Sequence, residues 1–206
     1  MNLFITGIGT NVGKTVVSAV LTETLQADYW KPIQSGVVEG KDSDTVKSLI
    51  SNSKSVFHSE TYLLNEPLSP HFAAKLDGVT IELDKINLPK TTNHLIIEGA
   101  GGLLVPINDT QYVIDIAKQF DCEIVLVISS YLGCINHSLL SIDYLRRNNF
   151  KIKALVFNGE FEPEVKQAII GYNLNTAIID IPSLNELSKS SVLLISSQIK
   201  AQIAQL

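Results

Sequence analysis

Apolar residues gather in six short runs along the chain, at 3–6, 29–33, 94–97, 123–128, 152–157 and 177–181. Most are unbroken rather than alternating and are rich in Val, Ile and Leu, as expected of strands buried on both faces of a parallel sheet. Between them, apolar positions recur at helical spacing and predict helices over 14–26, 43–51, 70–76, 112–119, 136–147, 163–171 and 192–205. This alternation implies an α/β fold of three layers: a mostly parallel sheet with helices on both faces, joined by right-handed crossovers. Functional side chains in such a sheet gather at the carboxyl ends of the strands. The stretch 36–88 carries two short helical patterns and the turn signals Glu66-Pro67 and Ser69-Pro70, which make it an insertion over that face rather than a second domain. The chain is therefore read as a single domain over 1–206.

The first apolar run leads into Gly7-Ile8-Gly9-Thr10-Asn11-Val12-Gly13-Lys14-Thr15. A strand, a glycine-rich loop, Gly-Lys-Thr and then a helix make a phosphate-binding loop, so the fold expected is of the P-loop NTPase type. The glycines let backbone N–H groups turn around phosphate oxygens, and the helix starting at Lys14 points its positive end at the anion. Lys14 reaches the β- and γ-phosphates, and the Thr15 hydroxyl is suited to Mg²⁺. The loop is a variant: Ile8 stands where the usual first glycine falls, with glycines on either side of it.

Five further segments carry chemistry. Lys31, in Trp30-Lys31-Pro32-Ile33-Gln34-Ser35-Gly36, ends an apolar strand, where an ammonium group is costly unless an anion meets it or the side chain snorkels to water. Ser35 follows and can donate to a phosphoryl oxygen. Glu98 ends the run Leu95-Ile96-Ile97 and precedes Gly99-Ala100-Gly101-Gly102, the position expected for a magnesium carboxylate beside a nucleotide loop. Asp42 and Asp44 begin a predicted helix and cannot be separated on local grounds, since either suits a first turn. Asn158 ends a strand before Gly159; its amide can read a base edge, or it can simply form a turn. Gly133-Cys134-Ile135-Asn136-His137 opens another helix, with Asn136 as an N-cap and free amides suited to a carboxylate. His71 and His137 stand alone, with no metal-ligand or triad pattern around them.

Taken in order, these segments resemble the dethiobiotin synthetase family over almost the whole chain. The resemblance rests on Thr6–Thr15, on Lys31-Pro32 with Ser35-Gly36, and on Ser43-Asp44. It rests also on Glu66-Pro67 with Ser69-Pro70-His71, on Glu98–Gly102, and on Leu132-Gly133-Cys134-Ile135-Asn136-His137. It implies an ATP-dependent ligase that carboxylates 7,8-diaminononanoate with CO₂ or bicarbonate and closes the ring, with Mg²⁺ as cofactor and ATP as co-substrate. Residues Gly9, Thr10, Asn11, Val12, Gly13, Lys14, Thr15 and Val16 would handle the nucleotide; Asn158, Pro182, Ser183 and Leu184 would hold adenine. Thr15, Asp44 and Glu98 would form the metal site, the resemblance choosing Asp44 over Asp42. Thr10, Lys14, Lys31 and Ser35 would act on the reacting groups, and Ser35, Gly101, Gly133, Cys134 and Asn136 would bind substrate. The resemblance also implies a homodimer with its substrate site at the interface. The chain departs from the family at Gly9, where Asp is usual, and at Asn11, where Glu is frequent. A switch ATPase of the partitioning or septum-positioning type is the alternative on the same fold, but the signature lysine of that type would stand where Gly9 is. An amide-forming synthetase of cobalamin synthesis would need a glutaminase domain as well.

Composition narrows the picture only slightly. A net charge of −5 with no basic stripe argues against nucleic acid as a partner, and Arg146-Arg147 fit a helix carboxyl end instead. Two cysteines form neither a disulfide framework nor a metal cluster, and Cys122 reads as packing. No leader pattern and no apolar run of roughly 18 residues is present, so a cytoplasmic protein without a membrane span is expected.

Overall fold

The computed structural model describes residues 1–172 and 176–203. In chain order the elements are β1 (Asn2–Gly7), α1 (Lys14–Leu25), β2 (Asp28–Trp30), β3 (Ile33–Ser35), α2 (Asp42–Leu49), β4 (Phe57–His58), β5 (Tyr62–Leu64) and α3 (Pro70–Leu76). They continue with β6 (Leu95–Gly102), α4 (Val113–Gln119), β7 (Glu123–Ser129), α5 (Cys134–Arg147), β8 (Ile152–Asn158), α6 (Pro163–Tyr172), β9 (Ala177–Ile181) and α7 (Lys189–Ile203). Seven strands form one sheet in the order β4-β2-β6-β1-β7-β8-β9, parallel at every pairing. The unbroken apolar runs are explained by this: Leu3, Phe4, Ile5, Ile124–Ile128 and Ala154–Val156 are fully buried between the helix layers.

From β1 the chain goes out to β2 and the edge strand β4, returns to place β6 between β2 and β1, and then crosses β1 to run on through β7 and β8 to β9. The reversal falls at β1, so the crevice at its carboxyl end lies beneath the glycine loop, where ligands bind in open α/β sheets.

Four expectations are corrected. The predicted strand 29–33 divides into β2 and β3, and β3 pairs with β5 in a separate two-stranded sheet. Pro32, which has no N–H and a fixed φ, stands at the break and ends the main ladder. The stretch 36–88 does lie beside the site but also supplies β4, β5 and single 3₁₀ turns at Val37–Glu39 and Leu83–Lys85. Strands of two and three residues are too short to leave a periodic signal. Helix α5 begins at Cys134, with Gly133 in the left-handed region (φ 105°) as its N-cap, so Asn136 lies inside the first turn and caps nothing. The predicted final helix starts earlier, at Lys189, and its predicted last residues 204–205 fall outside the described residues.

Asp28 locks the edge of the sheet on the side opposite the site. Its buried carboxylate accepts the Val56 amide at 3.0 Å, the Thr91 hydroxyl at 2.6 Å and the Asn93 amide at 3.1 Å, and meets His58 at 3.3 Å. Burial works against its charge, but these hydrogen bonds outweigh it and hold Asp28 below its ordinary pKa. Asp28→Ala should destabilise the fold by about 3 kcal/mol at neutral pH, as several donors lose a charged acceptor. Because the folded pKa is lowered, that difference should be complete above pH 3.8 and shrink as pH falls through the folded value. Urea unfolding of both proteins across pH measures it.

Candidate functional site

The loop between β1 and α1 is closed by side-chain contacts as well as by its own backbone. Gly13, N-cap of α1, has φ 89°, and a Cβ there would stand 2.0 Å from Asn158 Nδ2. Asn158 Nδ2 donates to the Val12 carbonyl at 2.9 Å, tying the end of β8 to the loop. Val12 is buried, Val16 half-buried, and Asn11 exposed with φ 59°. The Lys14 ammonium is buried and donates to the Gly9 carbonyl at 3.3 Å, a position in which it lies inside the loop. Burial chiefly, offset in part by Glu98, pulls its pKa down to about 8.

Strand register builds the second half of the site. Trp30 stands opposite Ile97 and Tyr29 opposite Ile96, so Tyr29 and Lys31 project to the face that carries Ile96 and Glu98. Glu98 is buried and receives three donors. Thr15 Oγ1 donates to Oε1 at 3.0 Å, Lys31 Nζ to Oε1 at 3.1 Å, and the Tyr29 hydroxyl to Oε2 at 2.9 Å. Lys31, only 5% exposed, also forms a short ion pair with Asp42. Burial opposes its charge, yet the carboxylates of Glu98 and Asp42 outweigh that and hold Lys31 above the ordinary lysine range. Burial first, and then Glu98, keeps the Tyr29 hydroxyl protonated far beyond the ordinary tyrosine range, so it serves as a donor.

Lys31, Ser35, Asp42, Thr10 and Gly101 line one cleft of about 670 Å³, closed on the far side by Pro67–Pro70 from the 36–88 stretch. The Ser35 hydroxyl is buried there without a hydrogen-bond partner among the described residues, which leaves it available to a ligand. Gln34 accepts the Asp42 amide at 3.0 Å and so sets where α2 begins.

The expected metal ligand Asp44 is not at this cluster. Its side chain is 69% exposed and faces Lys41 at 3.9 Å, whereas Asp42 reaches Lys31. Two residues apart on a helix is about 200° of rotation, so the two acids cannot face the cleft together. Cys134 is likewise turned away: with Ser138, Ile142 and Leu145 it forms the buried stripe of α5, and its amide donates to the Tyr131 carbonyl at 3.0 Å. Gly133 and Asn136 are exposed at the start of α5, outside the cleft. Pro182 and Ser183 are exposed and Leu184 half-buried just beyond β9, beside the Asn158-Gly159 turn, whose Gly159 amide donates to the Ile181 carbonyl at 2.8 Å. Tyr29, Gln34 and the Asn158–Val12 bond are additions to the sequence reading. Period-two projection from Lys31 could have found Tyr29; the other two are contacts between distant segments and leave no local trace.

The residues fit a magnesium nucleotide. Mg²⁺ takes oxygen ligands, using one or two carboxylates with phosphates and water. Thr15 and Glu98, with Asp42 nearby, offer that donor set directly beneath the loop. Among the described residues no group of three or more His, Cys, Asp or Glu side chains could hold a metal without such outside ligands.

The parallel sheet, the loop and the buried acid Glu98 within the neighbouring strand define a P-loop protein of the three-layer α/β class. Solved structures agree. The ParA family ATPase of Chlorobium tepidum superposes with a TM-score of 0.54 at 12% identity, over 97% of this chain and 90% of that one. The cell division ATPase MinD of Pyrococcus furiosus gives 0.52 at 14% identity, over 97% and 98%. At such identities the likeness is one of fold. The AAA domain family matches residues 1–191. Two curated sequences are much nearer, both ATP-dependent dethiobiotin synthetases named BioD. That of Cytophaga hutchinsonii is 47% identical over 190 residues, 92% of each chain. That of Christiangramia forsetii is 49% identical over 166 residues, 81% of this chain and 80% of that one. The chain belongs to the dethiobiotin synthetase family.

Among the described residues no helix is long and apolar enough to cross a membrane.

The lowered Lys14 pKa has a measurable consequence. Phosphates should restore its charge, so nucleotide binding at pH 9 should take up about 0.9 proton if the pKa rises from about 8 to at least its ordinary 10.5. Calorimetry in two buffers of different ionisation enthalpy reads that number. Lys14→Arg, charged at every pH, should abolish the uptake.

Proposed function

We propose that this protein is an ATP-dependent ligase of biotin synthesis, converting 7,8-diaminononanoate, CO₂ and ATP to dethiobiotin, ADP and phosphate. The observation that carries the reading is Lys31: a second buried ammonium, separated from the glycine loop by the one strand β6, held by acids at the rim of the cleft. A protein that only switched on nucleotide would need Lys14; a reaction in which an anion attacks the γ-phosphorus gains from a second positive charge. The 12–14% identity to partitioning and division ATPases supports the fold without their role, while 47–49% identity to the synthetases supports this activity.

The chemistry proceeds in three balanced steps. The N7 amine adds to CO₂ and loses a proton, giving a carbamate. A carbamate oxygen attacks the γ-phosphorus as the bond to ADP breaks, giving a carbamic–phosphoric anhydride. The N8 amine then attacks the carbonyl carbon and loses a proton, phosphate leaves as the C–O bond breaks, and the ring closes. No protein nucleophile is required. Lys14 and the amino end of α1 neutralise the ATP phosphates, Lys31 and Ser35 hold the carbamate and the transferring group, and Thr10 and Gly101 line the approach. When bound, Mg²⁺ would add positive charge at the phosphates, held by Thr15, Glu98 and the acid at the start of α2. Here we take Asp42 for that acid in place of Asp44, because it already contacts Lys31. Asn158, which keeps its carbonyl and one N–H beyond the bond to Val12, would read adenine beside Pro182, Ser183 and Leu184.

Purified protein with diamine, bicarbonate, Mg²⁺ and ATP should form dethiobiotin and phosphate in equal amounts. Phosphate release without ring product would overturn the reading. Lys31→Ala should lose roughly 10²–10³ in turnover. Asp42→Asn should raise the Mg²⁺ concentration needed for half activity, and Asp44→Asn should leave it unchanged; the reverse would return the metal role to Asp44.

The protein is further proposed to act as a homodimer with its substrate site at the interface. Exposed Leu104, Tyr131, Leu132 and Leu140 cluster around the start of α5, where an apolar trough of about 280 Å³ runs beside Ile8 and Tyr144. Gly133 and Asn136, outside their own cleft, would then serve the partner's substrate carboxylate through the exposed helix start. Mixing inactive Asn136→Ala and Lys31→Ala proteins should recover up to about a quarter of wild-type activity, since half of randomly formed dimers hold one intact site. No recovery after verified subunit exchange would remove the shared site.

A further inference from the structure

Tyr29 is buried on β2, outside every motif to which the sequence reading gave a chemical role, and its hydroxyl ends on Glu98. Glu98 divides its two oxygens between different partners. Oε1 receives both Thr15 and Lys31, at 3.0 and 3.1 Å; Oε2 receives Tyr29 at 2.9 Å. The terminal torsion of a glutamate is soft, with broad twofold preferences, so its rotamer alone does not fix which oxygen faces the loop. Both donors on Oε1 are themselves claimed elsewhere in the proposed reaction: Thr15 by the metal and Lys31 by the transferring group. The Tyr29 hydroxyl has no such competing task. Its ring is held from behind by Phe57, at a centroid distance of 5.6 Å. It is thus a rigid donor from a neighbouring strand, one residue short of the point where Trp30 ends the ladder.

We propose that Tyr29 is the positioning residue of the metal site: by holding Oε2 it keeps Oε1 turned toward Thr15 and the phosphate loop. The inference rests on the reading above that Glu98 and Thr15 hold Mg²⁺. A purely structural role, satisfying a buried carboxylate, predicts a loss of stability alone. A positioning role predicts a loss of metal affinity with the nucleotide pocket intact.

The test is Mn²⁺ binding, followed by electron paramagnetic resonance, to wild-type protein, Tyr29→Phe and Glu98→Gln, each with a non-hydrolysable ATP analogue. Tyr29→Phe keeps the ring and removes only the hydroxyl. It should weaken Mn²⁺ by about 10- to 100-fold, the usual effect of losing a partner of a metal ligand, while affinity for the metal-free analogue stays as in wild type. Unchanged Mn²⁺ affinity in Tyr29→Phe, with weakened affinity in Glu98→Gln, would overturn the positioning role and leave the metal site standing. Unchanged affinity in Glu98→Gln would overturn both. A measurement on the wild-type protein guards against a variant that does not fold. With ¹³C-labelled tyrosine, Mn²⁺ should broaden the Tyr29 ring signals among the first of the six tyrosines. A Tyr29 signal that stays sharp at saturation would overturn the proposal.

Discussion

An ammonium group taken out of water costs several kcal/mol unless carboxylates meet it, and the end of the sheet is arranged around that requirement. Lys31 leaves β2 with 5% of its surface exposed and reaches Glu98 from the neighbouring strand and Asp42 from the start of α2. Each partner is placed by a different level of structure. Parallel register sets Glu98 level with the residue after Trp30. Pro32 ends the strand there, so the chain turns away and the Lys31 side chain stays at the rim of the cleft. Gln34, two residues on, catches the first amide of α2 and brings Asp42 back over the lysine. The charge cluster is therefore not an addition to the fold. Pro32 and Gln34, which bring its members together, are also the residues that set where β2 stops and where α2 starts.

The same cluster joins the two halves of the site. Thr15 belongs to the loop and first turn of α1, yet its hydroxyl rests on Glu98, so the glycine loop and the acid strand share one carboxylate. On the other side Asn158 holds the Val12 carbonyl and fits against Gly13 so closely that any side chain there would collide with it. The loop is clamped from β6 on one side and β8 on the other, the two directions in which the sheet runs from β1 and its neighbours.

Much of this was legible in the sequence, and what was not has physical causes. Continuous apolar runs reveal buried parallel strands because both faces need apolar side chains, and β1, β6, β7, β8 and β9 were found that way. Strands of two or three residues at an edge, β4 and β5, carry too few residues for any period. The loop, Lys31 and Glu98 were visible because their chemistry is tied to local spacing along the chain. Which way Asp42 and Asp44 face was not, since each acid suits a first helical turn and only the rotation of α2 about its axis separates them. Cys134 and Asn136 show the same limit from the other side. Telling that the Cys134 thiol points into the core while Asn136 stays at the surface required knowing that the N-cap of α5 is Gly133 rather than Asn136, because those few residues of phase decide which way each side chain faces.

On the proposed reaction, the resting arrangement of Lys31 carries a further implication. Its contacts with Glu98 and Asp42 are those a divalent cation would compete for, and one lysine cannot neutralise two carboxylates. Lys31, Glu98 and Asp42 together carry a net negative charge, and among the described residues the buried Lys14 ammonium beside them donates a hydrogen bond only to the Gly9 carbonyl. Adding a divalent cation together with a polyphosphate relieves both strains. The acids gain a second positive partner, and the two lysines gain an anion. Binding either component alone would relieve only one of them. On that reading the chain's own charges would favour metal and nucleotide binding as a pair, with Lys31 released from its acids at the stage when a reacting anion needs it.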